Sequence, residues 1–200
     1  MTTSTSMFGI YDRLAEITLR HVADSVDPKI LQLASGGGAL SRRLLDRHPH
    51  AEVTVTDLDP MIVGGLTLSD LGNHPRALVC DASAIDAPDG YFDLAIFARR
   101  FHHLPPVTAA WILNEGTRAA SKLLIIDLAR PSPVPRTRRP TTASRSRLSS
   151  TRLAPEHHRV PRSPPGSGPP ASLALATYAD PAITVEVSTE GHSEIIVAYR

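Results

Sequence analysis

The stretch "ILQLASGGGALSRRLL", Ile30 to Leu45, decides the architecture. An apolar run enters three consecutive glycines, Gly36, Gly37 and Gly38, and leaves with Leu40, Leu44 and Leu45 at helical spacing. It reads as strand, tight loop, helix. Glycines permit backbone angles that side chains forbid and let a ligand approach the main chain. The free N–H groups at the start of the next helix then point at an electronegative group.

Working outward, strand and helix signals alternate. "FGIYDRLAEITLRHVA" places Ile10, Leu14 and Ile17 on one helical stripe. "EVTVTD" is a second strand ending at Asp57, followed by a helix from Met61 to Leu71 that Gly64 and Gly65 weaken. "ALVCD" is a third strand and "FDLAIFA" a fourth; Pro105 to Ala120 is a helix with prolines at its start, and "KLLIIDLA" is a fifth strand. With a helix expected after each strand, the units build a mostly parallel sheet covered on both faces, a Rossmann-like α/β fold. "ITVEVS", the turn "TEGH" and "EIIVAYR" then predict a C-terminal antiparallel hairpin.

Composition narrows the class. The chain has 200 residues, 42% of them hydrophobic, and a formal net charge of +1, which suits one globular domain. Its longest apolar runs are too short for a membrane span and its N-terminus lacks the pattern of a secretion signal, so a soluble cytoplasmic protein without membrane partners is expected. The single cysteine, Cys80, rules out an internal disulfide and a cysteine-based zinc cluster, and it reads as a small buried strand residue. Pro131 to Ser172 stands apart. It holds eight Arg, no Lys and one acid, Glu156, which makes it +7 and leaves about −6 for the rest, and it carries ten of the eighteen prolines. With no apolar period it is expected to be disordered, or to be read from a shifted frame, within the single domain 1–200.

In an open parallel sheet, ligands bind outside the carboxyl ends of the strands, where strand order reverses. The glycine loop, Asp57, Asp81 and "ARRFHH" all fall there. Asp57 follows the loop by about 20 residues, the separation at which an acid reaches ribose hydroxyls. It could instead cap the next helix, but "DLDP" makes Asp59 the better cap before Pro60. Asp81 reads either as a ligand contact or as a turn residue. His102 and His103 are candidate general bases, or else a packing pair at a helix entry. Glu115 and Trp111 read as structural.

Taken together, "ILQLASGGG", "VTVTDLDPMIV", "CDASAIDAPDGYFDLAIFARRFHHL" and "LLIIDL" resemble, in order and spacing, the motifs of the class I S-adenosylmethionine-dependent methyltransferases. The resemblance runs from Ile30 to about Arg130 and resumes near Leu173. It implies S-adenosyl-L-methionine as cofactor and methyl transfer to a small-molecule acceptor, without a metal. It also implies that Asp57 binds the ribose, Leu58 packs on the adenine, and Asp81 with the Ala82 N–H faces the adenine edge. The loop Ala34, Ser35, Gly36 and Gly38 would hold the methionine part, with Gln32 and Ala98 completing the cofactor set. Two positions depart from the pattern. Gln32 stands where the family usually has an acid, and Ala34 where it has its first glycine, a place that needs only a permitted backbone angle. The rival readings are a degenerate cofactor-binding domain and a nucleic-acid-binding protein that uses the arginine-rich stretch.

Overall fold

A computed structural model describes residues 7–68, 76–128 and 179–200. The expectations for 69–71 and for 131–172 lie outside the described residues. Within them the order is α1 (Met7–Arg20), β1 (Lys29–Leu33), α2 (Ala39–Arg47), β2 (Glu52–Asp57), α3 (Pro60–Leu68), β3 (Arg76–Val79), β4 (Leu94–Ala98), a single 3-10 turn at Phe101–His103, α4 (Pro106–Ala119), β5 (Leu123–Leu128), β6 (Thr184–Glu190) and β7 (Ser193–Tyr199). The seven strands form one sheet in the order β3-β2-β1-β4-β5-β7-β6. The first five are parallel, and β7 inserts antiparallel between β5 and β6.

The core follows from the period-two alternation of strands buried on both faces. Ile30, Leu94, Ile96, Leu124 and Ile126 face one way, onto Leu14 and Ile17 of α1 and Leu40 and Leu44 of α2. Leu31, Leu33, Phe97, Leu123 and Ile125 face the other way, onto Ile112 and Leu113 of α4. Each such side chain, fully removed from water, contributes about 2 kcal/mol. Gly116 lets α4 settle close on β5, because a Cβ there would stand 2.8 Å from Leu123 Cδ2.

One expectation needs correction. No helix joins β3 to β4: residues 80–93 are turns, bends and irregular chain, with one β-bridge from Phe92 to Ala120. Two side chains of α4 hold this segment instead. Arg118 donates to the carbonyls of Ile85 at 2.7 Å and Ala87 at 2.8 Å, and to Asp89 Oδ1 at 2.8 Å. Glu115 accepts the Ile85 N–H at 2.9 Å and pairs with the same guanidinium. Arg118 thereby holds the Glu115 carboxyl below its ordinary range. Sequence spacing could not reveal this clamp, since its partners are about thirty positions apart. Trp111, read as structural, is 57% exposed and lies off the core. Cys80 falls one residue beyond β3 and is only half-buried.

Candidate functional site

The carboxyl ends of β1, β2, β3 and β4 lie side by side, and strand order reverses between β1 and β4. Topology therefore gathers the separated motifs on one rim. The chain turns sharply after β1, with φ of +49° at Ala34, +56° at Gly36 and +71° at Gly38. Glycine takes such angles freely, whereas at Ala34 the left-handed backbone costs about 1 kcal/mol. The alanine is thus accommodated with strain, contrary to the simple tolerance expected from sequence. Below the loop, buried Gln32 accepts a hydrogen bond through Oε1 from the Ser41 hydroxyl of α2. Its own carbonyl accepts from Thr56 Oγ1 at 2.9 Å, which ties β1 to β2. The Ser35 N–H reaches across to the Thr56 carbonyl at 2.9 Å.

Asp57 organises the rim. Its Oδ2 accepts the Gly36 N–H at 2.9 Å and its Oδ1 the Asp59 N–H at 3.1 Å. A carboxylate offers about four acceptor positions, so about two remain for a ligand. Asp59, not Asp57, caps α3, accepting the Met61 N–H at 2.8 Å. Leu58, next to this carboxylate, is 65% exposed. Asp81 is a turn residue in this structure. Its Oδ1 closes a turn by accepting the Ser83 N–H at 2.8 Å and the Ser83 hydroxyl at 2.7 Å, which holds the carboxyl below its ordinary value. Oδ2 is left without a partner among the described residues, and so is the Ala82 N–H.

A second cluster lies at the ends of β4 and β5. After Ala98, Arg99 turns the chain with φ +66°, its N–H on the Ile126 carbonyl at 2.7 Å. This presents the turn Phe101–His103 beside β5. There Asp127, 5% exposed, accepts the His102 N–H on Oδ2 at 2.6 Å; its Oδ1 accepts the Leu128 N–H at 2.8 Å and stands 2.6 Å from His102 Nδ1. The His102 and His103 rings lie 3.8 Å apart. Sequence reading singled out both histidines and missed Asp127. Its signal was present, a lone acid within the otherwise apolar "LLIIDL". Among the described residues, no three His, Cys, Asp or Glu side chains gather as metal ligands would.

Residues 30–122 match the family described as "Methyltransferase domain". The match spans just under half of the chain and, with the relatives and the fold, supports a class I S-adenosylmethionine-dependent methyltransferase. The chain is 34% identical over 95 residues to a malonyl-[acyl-carrier protein] O-methyltransferase of Geobacter sulfurreducens, covering 44% of this chain and 34% of that one. It is also 34% identical over 108 residues to a ubiquinone/menaquinone biosynthesis C-methyltransferase of Bordetella avium, covering 51% and 41%. The chain thus spans well under half the length of these relatives. In fold, it is similar to an S-adenosylmethionine-dependent methyltransferase from Aquifex aeolicus, with 98% of both chains covered, a TM-score of 0.57 and 20% identity. The methyltransferase fold therefore extends beyond the residues matched by sequence.

Proposed function

We propose that this protein binds S-adenosyl-L-methionine at the rim between β1 and β4 and transfers its methyl group to a small-molecule acceptor. The observation that carries the reading is the donor and acceptor set left open there. A Cβ built on Gly36 or Gly37 would meet nothing within 4 Å, so the loop borders free space. Beside it, Asp57 keeps acceptor positions for two ribose hydroxyls and Leu58 offers an apolar face to adenine. Asp81 Oδ2 and the Ala82 N–H offer an acceptor and a donor to the base edge. The loop Ala34, Ser35, Gly36 and Gly38 and the amide of Gln32 take the methionine part, and Ala98 lies at the end of the neighbouring strand. When bound, the cofactor supplies an activated sulfonium methyl. The chain's own residues bind, orient and exclude water.

The reading extends to 1–200 as one domain that includes Pro131–Ser172. Support comes from β5 and β7, which flank that stretch in sequence and pair in one sheet. The cytoplasm is the proposed location. No helix among the described residues is long and apolar enough to cross a membrane. Calorimetry of the full chain with S-adenosylhomocysteine tests the cofactor site. One-to-one binding is expected, and no heat of binding at millimolar ligand would overturn the reading.

A further inference from the structure

We propose that Asp127 is a positioning residue which fixes the His102 ring with Nε2 open as a proton acceptor, and that the methyl acceptor bears a weakly acidic hydroxyl of the phenol or enol kind. The acceptor class rests on the cofactor reading above; the arrangement of the pair does not. Asp127 is 5% exposed and, among the described residues, has no Lys or Arg partner. A buried carboxylate without a cation is costly unless N–H donors surround it. The donors here are the backbone N–H groups of His102 and Leu128 and the ring of His102. An ionised carboxylate only accepts hydrogen bonds, so at 2.6 Å from Oδ1 the proton belongs on Nδ1. In the neutral ring the lone pair then lies on Nε2. That nitrogen meets no partner among the described residues, and the His102 side chain is 28% exposed. The backbone N–H and the ring of one residue grip the same carboxylate, so rotation of the imidazole would break a contact already made.

The place and the surroundings point to the acceptor. Register pairs Ala98 with Ile126, so the turn after β4 stands directly beside the end of β5, on the rim that carries the cofactor motifs. Arg99 and Arg100, neither in an ion pair among the described residues, precede the histidines. These cations favour a developing oxyanion over an ammonium. A carboxylic acid has already lost its proton at neutral pH and needs no base. A phenolic hydroxyl, with an ordinary pKa of about 10, keeps its proton at neutral pH and gains from a placed imidazole base. The acceptor O–H bond breaks with its electron pair left on oxygen, which becomes the nucleophile, while an N–H bond forms at Nε2. The imidazolium, stabilised by Asp127 through Nδ1–H, later returns the proton to water.

Nitrogen-15 NMR of the imidazole in the full chain, at a pH where the ring is neutral, tests the pair. The Nδ1–H tautomer is expected for His102 in the wild type, with a shift toward Nε2–H in Asp127→Asn. An Nε2–H tautomer in the wild type overturns the pair whether or not the variant folds, and so does a tautomer unchanged in a folded Asp127→Asn. Turnover of S-adenosylmethionine with a panel of phenols, enols, carboxylic acids and primary amines reads the acceptor class. Methylation of phenols or enols is expected, with kcat lowered about 100-fold in Asp127→Asn and KM little changed. Methylation confined to acids or amines, or of no member of the panel, overturns the hydroxyl assignment. Calorimetry with S-adenosylhomocysteine separates the two ideas. If the wild type does not bind it, the cofactor reading fails together with the acceptor class, while the NMR result still decides the pair.

Discussion

Asp57 and Asp127 both lie at the carboxyl end of a parallel strand in one sheet, yet they do opposite work. Asp57 is partly open, and its two oxygens hold the N–H groups of Gly36 and Asp59, shaping the loop while leaving acceptor capacity at the surface. Asp127 is buried, and its oxygens are engaged by His102 and Leu128. The first carboxylate is suited to meet a ligand directly; the second acts through a histidine. Burial makes the difference, because a carboxylate out of water must spend its acceptor sites on the protein.

The largest effect should come from the open member. Asp57→Ala removes the proposed ribose contacts and frees the glycine loop, and hydrogen bonds to a charged group contribute about 1.5–3 kcal/mol each. Cofactor affinity should therefore fall at least about 100-fold by calorimetry. Asp127→Asn, which leaves the glycine rim intact, should change it less than about threefold. Equal losses in the two variants would abolish the contrast.

Next in size is the clamp of α4 on residues 85–89. Arg118→Ala should lower stability by about 2 kcal/mol in denaturant titration, because it removes the guanidinium donors from the Ile85 and Ala87 carbonyls and from Glu115. The pH dependence has a definite sign. The folded pKa of Glu115 is depressed, so its stabilisation is present above the ordinary glutamate value of about 4.3 and is lost as pH falls through the folded value. Arg118→Ala should flatten that acid-side loss. An unchanged acid slope would show that Glu115 does not depend on Arg118.

Gln32→Glu should tighten S-adenosylmethionine about tenfold, since a charge-assisted contact to the cofactor's ammonium exceeds a neutral one by about 1–2 kcal/mol. The same change places a carboxylate at a site only 3% exposed, so the cofactor-free protein should lose stability. Weaker binding would mean that the loop has adapted to the neutral amide. The smallest effect belongs to Ala34→Gly. Relief of the backbone at φ +49°, offset by the greater freedom of glycine in the unfolded chain, leaves a gain of about 0.5 kcal/mol, measurable as a rise in Tm.

Local pattern sufficed for one half of the rim. The run into Gly36–Gly38, the acid ending "EVTVTD" and the cap at Asp59 are signals carried by neighbours in the chain, so the loop, the helix starts and the role of Asp57 as something other than a cap were legible. The other half was written in contacts between distant residues. His102 and Asp127 are 25 positions apart, and Arg118 reaches 31 positions back to Ala87. The expected helix between β3 and β4 failed for this reason: the segment is held by side chains of α4 and not by its own periodicity. What the sequence by itself determined is therefore what short-range propensity and period-two or helical spacing encode, namely the alternating α/β architecture, the terminal hairpin and the glycine rim. Only the tertiary structure decided that β7 lies between β5 and β6, that Ala34 sits in strained backbone, and that a buried Asp127 holds His102. These depend on which strands become neighbours, and strand order places side by side residues that no local spacing connects.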